Sequence, residues 1–175
     1  MSGARHLRVV VPEPGKEYRP SVHFCGHCGE HLAGKMPVSR VCSRCALGMY
    51  LEADADAAPR PGQPFLVVDP QLFVCALSQG GEQLLGVQEP DAVNRHVTDF
   101  FVTADVEGPA PETLVAGILR AGHGETQRTV LRPVGEGADP AASSATRLRG
   151  RLLRTIVVKA PEGMGKARLL ADGAA

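Results

Sequence analysis

Large apolar side chains are sparse before residue 64 of this chain and gather after it. FLVVD, residues 65–69, is an apolar run that predicts a buried strand. Pro70 and Gln71 follow as a turn, and LFVCALS, residues 72–78, predicts a second strand close enough to form a hairpin. QGGEQLLGV places Leu84 and Leu85 on a short helix ended by Gly86. In EPDAVNRHVTDFF, Pro90 and Asp91 open another helical turn, and Val93, Val97, Phe100 and Phe101 fall at helical spacings. PETLVAGILRA, residues 111–121, predicts a longer helix. Pro111 and Glu112 suit its first turn, Leu114, Val115 and Ile118 form its apolar stripe, and Gly122 stops it.

Beyond that helix the pattern is strand-like. TQRTVLRP (126–133) alternates weakly, and GEGADPAASS (135–144) predicts a loop. RLRGRLLRTIVVKA (147–160) predicts one long strand. Arg147, Arg149 and Arg151 share a face there, and Arg154 breaks the phase, which implies a bulge near Leu153. GKARLLADG predicts a closing strand. Upstream, EADADAAPRPGQP mixes acids, prolines and alanines without periodicity. It suggests three parts: residues 1–51, a linker at 52–63, and a larger domain at 64–173.

The chemistry lies in the first part. FCGHCGEHLAGKMPVSRVCSRC holds Cys25, Cys28, Cys42 and Cys45 as two Cys-x-x-Cys pairs. Each such turn brings two thiolates onto one ion, and two turns close a tetrahedral site that suits zinc. Gly26 and Gly29 ease the first turn, and the stretch between the pairs is expected to form a short hairpin. The reading is a zinc ribbon. Four thiolates leave no open position for water, so the metal's expected role is structural: it supplies folding energy to a segment too poor in apolar residues to make a core. Iron in a rubredoxin-like electron-transfer site would use the same ligands. His23, His27 and His31 crowd the stretch and are expected as exposed residues or donors around the thiolates rather than ligands.

Charge changes the picture little. The 19 basic residues balance the 19 acidic ones across 175 residues, so no whole-chain attraction to nucleic acid or membrane is implied. Before Tyr50 there are seven basic and three acidic residues, which gives weak support to nucleic-acid contact by the ribbon. No apolar run reaches the roughly 20 residues of a membrane span. The N-terminal stretch lacks a signal peptide's apolar centre, so a cytoplasmic protein with reduced thiols is expected.

The order of elements from Pro64, above all FLVVDPQLFVCALSQGGEQLLGV and VNRHVTDFF, resembles the PAS-domain family. The resemblance covers about 110 residues, and the fold class it implies is α+β: a small zinc ribbon followed by a five-stranded antiparallel sheet with helices on one face. It also implies a pocket between helices and sheet, a sensory or dimerising role, and possible homodimers through this domain. The stretch that marks flavin-binding members is missing, and the long helix carries no histidine of the haem-binding kind, so no cofactor signature is present and the pocket's ligand stays open. His96 is expected to pack or hydrogen-bond rather than ligate, and Cys75 to be a small buried hydrophobe. No nucleophile elbow, phosphate-binding loop or metallohydrolase motif stands in the chain. The expectation is a non-enzymatic regulatory module, sensing a ligand or binding a protein of a signalling or transcription pathway. The alternatives are a nucleic-acid-binding transcriptional regulator and a rubredoxin-like electron carrier.

Overall fold

The computed structural model describes residues 19–33, 36–104, 111–121, 126–135 and 139–159. Their elements are β1 (Ser21–Cys25), β2 (Tyr50–Asp54), β3 (Phe65–Val68), β4 (Val74–Leu77), α1 (Gln79–Leu85), α2 (Glu89–Ala92), β5 (Phe101–Thr103), α3 (Pro111–Ala121), β6 (Gln127–Pro133), β7 (Ala141–Arg147) and β8 (Arg154–Val158). β1 and β2 form a two-stranded antiparallel ribbon, and the other strands form one antiparallel sheet in the order β4-β3-β8-β7-β6-β5. The expected α+β architecture is present, with β5 added as a sixth, edge strand.

The sheet is covered on both faces, by different things. On one face Leu66, Val68, Leu131, Ala145, Ile156 and Val158 pack with Leu114, Ile118 and Ala121 of α3 and with Val97 and Phe100. On the other, Phe65, Val67 and Val157 pack with Phe24, Leu51 and Ala53 of the ribbon. The Phe24 and Phe65 rings meet edge to face at 5.7 Å. The unbroken apolar run of β3 follows from this: every one of its residues faces a cover, so no position can be polar.

Local chemistry sets the ends of α1. The Ser78 hydroxyl accepts from the Gly81 amide at 3.0 Å and from the Phe65 amide at 2.8 Å, so one cap ties the helix to β3. Gly86 ends the helix at φ 65°, a left-handed conformation that favours glycine.

Several expectations change. The stretch expected as one strand from residue 147 is instead the turn and second strand of a hairpin. β7 ends at Arg147, Gly150 turns at φ 64°, and β8 starts at Arg154, so the arginine alternation ran across a turn. Val93 to Phe101 are not one helical face. A 3-10 turn at Val97–Asp99, capped by the His96 ring accepting from the Thr98 amide at 3.4 Å, leads directly into β5. His96 thus hydrogen-bonds, and it also stacks edge to face on Phe73 at 5.5 Å. Cys75 is exposed, not buried. The pairing of β3 with β4 jumps from Val67↔Ala76 to Val68↔Val74, which makes Cys75 the extra residue of a bulge. β7 begins at Ala141, inside the stretch expected as a loop. Residues 52–54 belong to β2, and the chain through Gln63 stays held: Ala57 and Ala58 amides donate to the Asp54 carbonyl. The closing strand expected in GKARLLADG lies outside the described residues, as do residues 1–18.

Candidate metal centre and inner cavity

Cys25 ends β1, Cys28 follows one tight turn later, and Cys42 and Cys45 flank a second turn. Each turn is closed by its own flanks. Phe24 bridges to His31 and Val41 bridges to Met49, while Cys25 pairs with Tyr50 across β1 and β2. The expected hairpin between the two cysteine pairs is replaced by these two separate knuckles; residues 34–35 between them lie outside the described set.

The knuckles bring together the four thiols expected as ligands. All the Sγ atoms of Cys25, Cys28, Cys42 and Cys45 lie within 4.8 Å of one another. Cys25 and Cys45 Sγ are 3.6 Å apart, and Cys28 and Cys42 Sγ 3.9 Å. A tetrahedral ion bonded to sulfur at about 2.3 Å requires sulfur edges of about 3.8 Å. The donor set therefore fits a tetrahedral metal ion held by four thiolates. Such an ion would supply a four-way crosslink between two knuckles.

Burial and hydrogen bonding act on the four thiols in opposite directions. The His27 and Cys28 amides donate to Cys25 Sγ at 3.4 and 3.5 Å. Burial pushes the Cys25 and Cys28 thiols up. At Cys42 burial also raises, but the amides of Cys45 and Arg44, the Tyr50 hydroxyl and the Cys25 thiol together bring it down to about 6. Burial opposes the same way at Cys45, and the Gly48 and Leu47 amides with the Cys25 and Cys28 thiols together bring that thiol down. Two neighbours of the site carry little signal in the sequence. A Cβ on Gly48 would lie 2.4 Å from Cys25 Sγ and 2.7 Å from the His27 amide nitrogen, so only glycine fits there. Tyr50, buried beside Cys42, is the other.

None of the three histidines joins the thiol group. His31 is exposed, and its Nε2 donates to the Pro59 carbonyl at 2.7 Å. His23 lies 4.0 Å from Glu52. His27 is mostly buried, with Nδ1 3.4 Å from the Glu89 carboxylate of α2, and its carbonyl accepts from the Gln79 amide at 2.9 Å. Those last contacts join the first knuckle to the helical layer. On the opposite side Arg149 binds the ribbon: its Nε donates to Asp54 at 2.6 Å and its amide to the Glu52 carbonyl at 2.8 Å.

A second feature sits inside the larger unit. Between α3 and the sheet lies a cavity of about 220 Å³, lined by Thr103, Ile118, Gln127, Thr129, Leu131 and Ser143 among others. Its apolar floor is the sheet core. The Ser143 hydroxyl donates to the Thr129 carbonyl at 3.0 Å, and the buried Thr103 hydroxyl has no partner among the described residues. Sequence patterning did not mark Thr103, because a threonine in a short strand has no distinguishing pattern. Among the described residues no helix is long and apolar enough to cross a membrane.

No family model matches the chain, and no curated protein matches it. Among solved structures it is similar to the PAS domain of nitrogen regulation protein NR(II) from Vibrio parahaemolyticus. Identity there is 11%, with 57% of this chain and 90% of that one covered at a TM-score of 0.44. It is also similar to the PAS domain of an HTR-like protein from Haloarcula marismortui, at 16% identity, with 55% and 79% covered and a TM-score of 0.41. Both of these structures are PAS domains, the family that the order of elements resembles.

Proposed function

We propose that this chain is a non-catalytic sensory module in which a PAS-like domain takes a small ligand and a zinc-stapled ribbon presents a surface to a protein partner. The observation that carries the reading is the inner cavity under α3, where a buried, unpartnered Thr103 hydroxyl points to a ligand able to accept or donate one hydrogen bond. Zinc is the proposed ion, since a closed four-thiolate tetrahedron suits it, and a reducing cytoplasm is the compartment that keeps such thiols free.

Protein is favoured over nucleic acid by the ribbon's surface. Val38, Val41, Leu47 and Met49 are exposed on and beside the second knuckle, with Leu47 at 70% exposure. Of its cations, Arg44 is paired with Glu30 and Arg19 with Asp54. An apolar knuckle with part of its charge already neutralised suits a protein groove better than a phosphate backbone.

Native mass spectrometry of the protein from its own host tests both halves. The expected result is one zinc per chain and a retained organic mass that Ala145→Leu, which fills the cavity, removes. A colourless zinc protein showing no saturable amide shift at Thr103, Ile118 or Ala145 across a metabolite screen would overturn the sensing half. A red, reducible iron protein would overturn the zinc.

A further inference from the structure

The seam between the metal module and the sheet holds a groove of about 590 Å³, larger than the inner cavity and separate from the sheet core. One wall is the β2–β3 connection, with Asp56 and Arg60. The other is the ribbon-facing side of the sheet, with Arg128 of β6, Ser144 of β7, Val157 of β8 and Lys159 just beyond it. Arg128 and Ser144 are register partners, and Ser144 is in turn opposite Val157, so these side chains share one face.

The charges are uneven. Arg60, Arg128 and Lys159 come from distant parts of the chain and meet at one groove, against one carboxylate, that of Asp56. None of the three cations has an ion-pair partner among the described residues, whereas Arg19, Arg44, Arg95 and Arg149 each have one. Three like charges around a concave space repel one another, and the concavity focuses their field. Two guanidinium forks, an ammonium and a hydroxyl are the donor set that matches a phosphate. Val157 supplies an apolar floor for the rest of such a molecule.

The wall is also held in place. A Cβ on Gly29 of the first knuckle would lie 2.9 Å from the Arg60 carbonyl, and one on Gly80 of α1 would lie 2.8 Å from the Gly62 carbonyl. With the His31–Pro59 hydrogen bond, these close approaches clamp the connection between knuckle and helix. A groove clamped in this way loses little entropy on binding.

We propose that this seam is a second binding site, for a phosphate-bearing small molecule of nucleotide size, with Arg60, Arg128 and Lys159 holding the phosphate. Arg128 lies between the two spaces and lines both, whereas Arg60, Ser144, Val157 and Lys159 line the seam and not the cavity under α3, so the site stands whether or not that cavity takes a ligand.

The test is an amide-resolved NMR titration of the full, metal-loaded chain with pyrophosphate, AMP and citrate at constant ionic strength. The expected result is saturable shifts at Arg60, Ser144 and Lys159 with pyrophosphate and AMP. Arg128→Ala and, independently, Lys159→Ala should each weaken binding about tenfold, as expected for a lost charged hydrogen bond. Arg132→Ala, an exposed arginine on the same strand outside the groove, should leave it within about twofold, since a distant rim charge contributes little. Absence of saturation at about 10 mM, where a site of about 1 mM affinity would be nine-tenths filled, would overturn the proposal. So would equal weakening by Arg132→Ala, tighter binding of citrate than of pyrophosphate, or shifts confined to Thr103 and Ile118.

Discussion

The ribbon and the sheet domain solve the same problem by different means. The sheet domain closes its core with apolar layers: strands on one side, α3 and its neighbours on the other, with Leu114, Ile118, Leu131 and Ile156 at 2% exposure or less. The ribbon has no such layer. Its interior beyond the Phe24–Leu51 face is the thiol group itself, with Tyr50 beside it. A short segment with few large side chains cannot offset its conformational entropy by burial, and the proposed metal crosslink would do so. The ribbon's apolar face is then spent on the sheet, where Phe24 and Phe65 meet. With the proposed metal bound, the ribbon is anchored at two places, one through metal–sulfur bonds and one hydrophobic.

The largest effect should come from breaking the metal anchor. Cys42→Ser removes one of the four ligands. Structural zinc contributes on the order of 10 kcal/mol to such folds, so hydrogen exchange should show β1 and β2 amides losing protection while β6, β7 and β8 keep theirs. Acid should act in the same direction. The ion binds thiolates, protons compete for them, and affinity therefore falls as pH falls; stepwise acidification with a zinc indicator reads this directly. Simultaneous loss of protection in both regions would show that the sheet depends on the ribbon.

Next comes the hydrophobic anchor. Phe65→Ala removes the ring that joins the two regions and should cost about 3–5 kcal/mol in denaturant unfolding. Zinc affinity should change far less than stability, because Phe65 touches no sulfur. Gly48→Ala should do the reverse. Its Cβ would press on Cys25 Sγ, so chelator competition should report zinc affinity lower by about tenfold or more, with the sheet's unfolding little altered. The smallest effect is expected at Arg149→Ala. Its ion pair with Asp54 is partly exposed, and about 1 kcal/mol or less should be lost, confined to the ribbon's docking.

Sequence patterning served the two regions unequally. The clustering of the four cysteines could be foreseen because Cys-x-x-Cys is a local signature: the turn that converges two sulfurs is written in adjacent residues. The helix at Pro111–Ala121 and the stop at Gly86 were legible for the same reason, since stripes and caps act within a few residues. The arginine-rich stretch misled because alternation is kept through a tight turn, and only Gly150 marked the reversal. Cys75 misled because a bulge shifts a residue across the sheet without changing its neighbours in sequence.

By itself, then, the chain determined two Cys-x-x-Cys turns and most element boundaries from Phe65 to Ala121, while the antiparallel sheet with helices on one face was implied by the resemblance to the PAS family. The turns and boundaries depend on contacts between residues close in sequence. Only the tertiary structure decided that the ribbon lies on the sheet's other face, that Gly48 stands against Cys25, that Thr103 is buried without a partner, and that Arg60, Arg128 and Lys159 meet at one groove. Each of these joins segments tens of residues apart. Local propensity carries no information about such encounters; they follow from packing two regions whose apolar faces have no other cover.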